Sequence, residues 1–317
     1  MPQHKPRTAC LPDRQANRTP QIIFLAGPTA IGKSALAVLL ARKINAEIIS
    51  MDSMQIYKGL DIVSSKPSAI LRKKSVHHLL DIVSSSYAFD VAAYRRLALK
   101  KIKEIHARGR VPLFVGGTGL YMSVVVDGIF KEVKKDEALR KKLYDELTKN
   151  GSAPLHKRLR ALDREAAEKI HPNDCRRIVR ALEVCALTGK PISELWRKRK
   201  GLAGKYDVRM FALNKDRQAL YGDINSRVEA MFRQGLVDEV KKILKIKLSH
   251  TCGQAIGIRE VEGYLKGKYD LAQAKELIKQ HTRNYAKRQL TWFRKDRRIC
   301  WIDAGRGNTL KEIMARI

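Results

Sequence analysis

Acidic residues are scarce in this 317-residue chain: 32 Asp and Glu stand against 64 Lys and Arg, a formal charge of +32. So lopsided a balance argues against a surface built for basic partners and points to a polyanion, nucleic acid first. Cysteines are few and scattered, at Cys10, Cys175, Cys185, Cys252 and Cys300, with no C-x-x-C pair and no Cys/His spacing of a zinc site. Dispersed, odd-numbered thiols fit a reducing compartment. No apolar run reaches the about 18 residues that a membrane span needs. Residues 1–20 lack the apolar centre of a secretory signal. They carry Lys5, Arg7, Arg14 and Arg18 among four prolines, so a disordered basic arm is expected there.

What is present is enough for a large core, with 44% hydrophobic residues and length for two domains or for one with an insertion. The most informative stretch begins with the apolar run Ile22 to Ala26, which reads as a buried strand. Gly27-Pro28-Thr29-Ala30-Ile31-Gly32-Lys33-Ser34 follows, the pattern G-x-x-x-x-G-K-S. Its glycines let backbone N–H groups turn inward on an anion, Lys33 adds a point charge, and Ser34 offers a hydroxyl to Mg²⁺. The helix-forming run Ala35 to Lys43 places that anion at a helix N-terminus. The motif binds phosphate but does not say whether the phosphate belongs to ATP, GTP or another diphosphate.

A second strand is expected over Ala46 to Met51, ending at Asp52. Open α/β sheets bind ligands beyond the carboxyl ends of their strands, which places Asp52 beside the phosphate loop. An Asp after a strand is otherwise a cap. His77 and His78 adjoin in a stretch of little periodicity, and neighbouring side chains converge poorly on a metal. Phe89 to Arg108 has helical spacing, with Val91, Tyr94, Leu97, Ala98, Ile102 and Ile105 on one face. Val111 to Val115 is a third strand, running into Gly116-Gly117-Thr118-Gly119, where the glycines mark close backbone approach. Strand and helix in alternation predict a parallel sheet covered by helices.

From Lys131 to Lys190 the strand pattern disappears and the text is basic and helical. The expected organisation is therefore an α/β P-loop core over residues 21–130 and 191–317, interrupted by a helical insertion at 131–190. Trp196 to Lys205 reads as an exposed basic loop, a solvated charge run or a nucleic-acid contact. Strands resume at Val208 to Leu213 and at Ile299 to Ile302. Helices are expected over Leu220 to Lys245 and Leu271 to Arg294.

Taken in order, these pieces resemble the tRNA dimethylallyltransferases. The resemblance runs from residue 21 to about 303. It rests on the phosphate loop, Asp52-Ser53 with Gln55 and Tyr57, Asp61-Ile62 with Lys66-Pro67, and Gly116 to Tyr121. Further along it rests on His171 to Asp174 with Arg177, Gly235-Leu236 with Glu239, Gln254 to Gly257, and Lys287-Arg288-Gln289 with Thr291 to Phe293. The resemblance implies transfer of a dimethylallyl group from dimethylallyl diphosphate to the N6 amine of adenosine 37, beside the anticodon, in tRNAs reading codons that start with U. The phosphate loop would then hold the donor's diphosphate with Mg²⁺ at Ser34. Lys33, Asp52 and Thr118 are the implied catalytic residues, Asp52 as general base, and Arg227 the implied clamp on the diphosphate. The implied tRNA contacts are Asp52, Ser53, Met54, Gln55, Thr118, Arg140, Arg176, Arg177, Gln254, Arg259, Lys287 and Arg288.

The chain departs from the family at Ile62 to Pro67, where the usual pattern is I-G-T-A-K-P, and at Asp223, often an arginine. It ends without the zinc-finger extension of eukaryotic members, so a bacterial or organellar form is expected, monomeric and cytoplasmic unless imported into an organelle. A P-loop small-molecule kinase and an adenylate isopentenyltransferase acting on free nucleotide are the alternatives. Neither accounts as well for a basic helical insertion.

Overall fold

The computed structural model describes residues 19–317 apart from 131, 132, 134 and 135, so the basic arm expected at the start lies outside the described residues but for Thr19 and Pro20. The chain opens β1 (Gln21–Ala26), α1 (Lys33–Lys43), β2 (Ala46–Ser50), α2 (Ala69–Lys74), β3 (His77–His78), α3 (Val91–Ala107), β4 (Val111–Gly116) and α4 (Gly119–Val126). Five helices follow: α5 (Glu137–Asn150), α6 (Ser152–Leu162), α7 (Arg164–Lys169), α8 (Cys175–Thr188) and α9 (Ile192–Arg197). The core resumes with β5 (Asp207–Asn214), α10 (Arg217–Arg233), α11 (Leu236–Ile243), a 3₁₀ turn at Cys252–Gln254, α12 (Ile258–Leu265), α13 (Leu271–Phe293), β6 (Cys300–Asp303) and α14 (Thr309–Met314).

The six strands form one parallel sheet in the order β3-β2-β4-β1-β5-β6. β1 lies inside it, between β4 and β5, and its residues Ile22 to Ala26 are fully buried. A parallel strand covered on both faces has no solvent side, which is why its sequence is an unbroken apolar run rather than an alternation. One face packs α3, α4, α11 and α12 around Phe24, Phe114, Tyr94 and Tyr121; the other packs α1, α10 and α14 around Ile23, Leu25, Leu113 and Phe211. β3 is two residues long, too short for a periodic signal, and the sequence reading missed it. His78 Nε2 there donates to the Glu47 carboxylate (2.6 Å), which also accepts from Arg108.

Helix ends follow the side chains that cap them. Asp90 accepts from the Ala93 N–H at the start of α3, Asp136 from Leu139 at α5, and Asp174 from Arg177 at α8. Between residues 136 and 197 the described residues form helices and no strand. They bury a core of their own, built on Leu155, Leu159, Ile178, Val179 and Leu182. Ile192, Leu195 and Trp196 belong to that same core, so the helical unit extends through α9, past the expected boundary at 190. The segment read as an exposed basic loop is correspondingly tied down. Arg197 pairs with Glu165, Lys198 with Glu194, Arg199 is half-buried, and Leu202 is buried in the sheet core.

Candidate functional site

The carboxyl ends of β1, β2 and β4 converge because one of them carries glycine. Any side chain on Gly116 would collide with the backbone of Met51, so β4 and β2 can end side by side only with glycine there. This brings Asp52 to the Gly117-Thr118 turn. The Thr118 N–H donates to the Met51 carbonyl (3.2 Å), and the Thr118 hydroxyl accepts from the Ser53 N–H (3.1 Å). Asp52 Oδ1 accepts from the Met54 and Gln55 N–H groups at 2.8 and 3.4 Å. Asp52 thus caps its own turn with one oxygen, and no hydrogen bond engages Oδ2 among the described residues.

The phosphate loop wraps the same cavity, of about 370 Å³, lined by Thr29 to Ser34, Asp52, Gln55, Arg227 and Gln289. Gly32, at φ 88°, turns the chain into α1 in a conformation suited to glycine. Lys33 folds back so that its Nζ donates to the carbonyls of Gly27 (2.9 Å) and Pro28 (2.6 Å). Burial pulls its pKa down to about 7; Asp52 opposes that fall and the neighbouring Arg227 adds to it. Arg227 is itself shifted down by burial, and its Nε has no hydrogen-bond partner among the described residues. Two basic side chains, one of them with an unmet donor, share the cavity with one carboxylate. That arrangement suits an anion carrying more than one negative charge.

Two polar residues outside the expected set hold this geometry. Gln289, on α13 and 5% exposed, accepts from the Thr29 N–H through Oε1 and donates from Nε2 to the Gly117 carbonyl, both at 2.9 Å. It clips the phosphate loop to the Thr118 turn. The signal was a glutamine within the buried stripe Ile278, Thr282, Ala286, Gln289 and Phe293, where an apolar residue would be ordinary. Glu239 gathers the N–H groups of Asp61, Ile62 and Val63 at 2.8–3.0 Å. That loop also offers the Ser64 and Ser65 carbonyls to Gln55 (3.4 Å each), so the departures from the family pattern contribute there through backbone. Lys66 pairs with Asp61 and Asp81 and donates to the Tyr57 carbonyl, which makes it a brace for the loop. Asp223, the other departure, binds Lys215 at 2.5 Å.

The remaining expected RNA contacts fall into separate clefts. Arg140 and Arg176 line one of about 430 Å³ with Tyr144 and Arg180, where Arg140 and Arg180 both hold the buried Glu183 at 2.7 Å. Gln254, Arg259 and Arg288 share another, of about 380 Å³, with His281. Arg177 lines a third, between the core and the helical unit. Met54 packs its side chain against the core, and Lys287 is exposed outside these clefts.

Comparison with known proteins places this geometry among relatives. A family model described as IPP transferase matches residues 55–296. A tRNA dimethylallyltransferase from Carboxydothermus hydrogenoformans is 46% identical over 94% of this chain and 96% of its own length. A solved tRNA isopentenylpyrophosphate transferase from Bacillus halodurans superposes with a TM-score of 0.69 at 39% identity, covering 93% of this chain and 95% of that one. A eukaryotic dimethylallyltransferase described as acting on tRNA gives a TM-score of 0.76 at 30% identity, over 93% of this chain and 77% of its own.

Proposed function

The chain belongs to the IPP transferase family, and on that premise we propose that it transfers a dimethylallyl group from dimethylallyl diphosphate to the N6 amine of an adenosine beside a tRNA anticodon. The observation that carries this reading is the joining of a phosphate loop, a partly free carboxylate, Lys33 and the under-partnered Arg227 in one cavity. The N6–C1 bond forms as the C1–O bond breaks, and the diphosphate leaves with the bonding electron pair. Lys33, Arg227 and the loop amides stabilise the charge that develops on it. The amine's proton passes to Asp52, whose Oδ2 is unencumbered while Oδ1 fixes the carboxylate's direction. The Ser34 hydroxyl is a hard oxygen donor lining the anion cavity and fits Mg²⁺, which would add positive charge beside the diphosphate.

The acceptor base must leave its stack to reach so recessed a centre. The clefts bearing Arg140, Arg176, Arg177, Gln254, Arg259 and Arg288 then hold the phosphates around it, the work for which a charge of +32 is suited. Adenosine 37 of tRNAs that read U-starting codons is the target, and a monomer in the cytoplasm the working form. No described helix is long and apolar enough to cross a membrane. The test is incubation with labelled dimethylallyl diphosphate and unmodified tRNA, followed by nuclease mapping of the label. Label on a single adenosine beside the anticodon is expected. Label on free adenine nucleotide, or phosphoryl transfer from ATP without prenyl transfer, would replace this reading with one of its rivals.

A further inference from the structure

Two buried side-chain nitrogen or oxygen atoms lack a hydrogen-bond partner among the described residues, and both are arginine Nε atoms. One is Arg227, at the diphosphate cavity. The other is Arg199, which lines the cleft of about 620 Å³ between the sheet core and the helical unit. A buried donor without an acceptor bears the whole cost of its desolvation, so a ligand that supplies the acceptor is the economical explanation for both.

Arg199 is held in place by its surroundings. Arg95 donates to the carbonyls of Val124 and Lys200, both at 2.8 Å, and the Leu202 N–H donates to the Val126 carbonyl at 2.9 Å. The carboxylate that acts on Arg199, Asp127, is already forked by Arg298 at 2.6 and 3.2 Å. Trp196 and Trp292 contribute aromatic surface to the cleft, and Arg177, Arg180 and Lys169 surround it with charge. The Arg199 guanidinium stands 5.6 Å from the centre of the Trp196 ring. Volume, aromatic surface and arginines together suit a single nucleotide better than a bare anion or an apolar molecule.

Position supplies the identity of that nucleotide. Trp292 packs on Gly119, where any side chain would collide with its ring. Gly119 follows Thr118, whose hydroxyl anchors the residue after Asp52. The cleft therefore begins close to the reaction centre, lined by Leu120, two residues after Thr118, and by Trp292 on Gly119. When a target base is extruded, the neighbour it was stacked on loses a partner, and an aromatic platform can replace that contact.

We propose that this cleft is a second nucleotide subsite. It takes the unpaired nucleotide next to the target adenosine, its base against tryptophan and its phosphate on Arg199 and Arg177. The proposal rests on the RNA acceptor of the proposed function. The test uses the full-length protein and an unmodified anticodon stem-loop RNA, intact or with an abasic nucleotide on either side of the target. For the wild-type protein, one of the two abasic RNAs should bind about tenfold more weakly than the intact RNA. Arg199→Gln and Trp292→Ala should each weaken the intact RNA and make the abasic change nearly silent, with KM for the donor unchanged in Arg199→Gln. Abasic effects of the same size in wild type and both variants overturn the subsite, as does Arg199→Gln binding the intact RNA like wild type. Intact stem-loop prenylated by the wild type separates that outcome from failure of the RNA reading, in which no RNA is prenylated at all.

Discussion

Replacing Gln289 by alanine removes two hydrogen bonds at once. Each is 2.9 Å long, the one to Gly117 buried and the one to Thr29 half-buried, so truncation strands the Gly117 carbonyl and frees the Thr29 N–H. An orphaned buried group costs about 1–3 kcal/mol, but Gln289 lines the cavity, and water entering there would take up part of the loss. A net loss of about 2 kcal/mol is expected, which for a chain of this size lowers Tm by about 3 °C. The functional effect should exceed what stability alone produces, because the clip sets the spacing between the phosphate loop and the Thr118 turn. Misplacing reacting groups by an ångström can cost on the order of 100-fold in rate. Steady-state kinetics on the folded variant, well below its Tm, should show kcat/KM for the donor down by about 10- to 100-fold, with RNA affinity nearly intact. Gln289→Glu is the companion. It retains an acceptor for Thr29 but sets a negative charge beside the diphosphate, so its KM for the donor should rise above that of Gln289→Ala. If both variants melt early yet keep wild-type kcat/KM, Gln289 merely supports the fold and the positioning argument is wrong.

Four further outcomes follow from the same geometry. Lys33 titrates at about 7 when folded and at 10.5 when unfolded, so between those values the unfolded chain binds more protons and this residue's contribution to stability rises with pH; Lys33→Met should remove that slope from Tm measured across pH 7 to 10. Binding the anionic donor should restore the Lys33 proton above pH 7, a proton uptake visible by calorimetry in buffers of different ionisation enthalpy. Asp52→Asn should keep donor and RNA binding but lose about 10²- to 10⁴-fold in single-turnover rate, whereas a magnesium-rescued loss of donor affinity would make Asp52 a metal ligand instead. Ser65 sits at φ 48°, so Ser65→Gly should raise stability by up to about 1 kcal/mol in denaturant unfolding, and a fall would mean that its hydroxyl contributes more than its backbone costs.

Much of this was legible in the sequence, for identifiable reasons. The phosphate loop announces itself by its spacing, and the strands β1, β2, β4 and β5 by short buried apolar runs, Ile22 to Ala26, Ile48-Ile49, Leu113 to Val115 and Met210 to Leu213. β3 was not legible, since two residues define no period. The limit at 190 was missed because α9 follows a glycine-lysine-proline break yet packs Ile192, Leu195 and Trp196 into the helical unit, a tertiary fact. The basic run after Trp196 is exposed at Arg197, Lys198, Lys200 and Lys205, as read, but its pairing was not legible. Composition counts its charges but does not reveal that Glu165 and Glu194 neutralise two of them while a third is pressed into a cleft.

Two residues that the sequence left without a role, Gln289 and Trp292, share one helix with Arg288. On α13, Gln289 reaches the phosphate loop, Arg288 faces the cleft of Gln254 and Arg259, and Trp292 closes on Gly119. Tyr285 lies close enough to Asp52 and Thr118 for both to act on its hydroxyl, whose pKa burial and the Asp52 charge push up. At 1.5 Å of rise per residue, positions 285 to 292 span about 10 Å, two turns of helix. Successive residues point about 100° apart. One rigid segment can therefore address the phosphate-loop cavity, the Thr118 turn and two further clefts, each from a different side. Such a helix cannot shift for one site without shifting for the others. That explains why its buried stripe contains a glutamine: an apolar residue at 289 would pack as well but would leave the donor loop unregistered against everything else the helix holds.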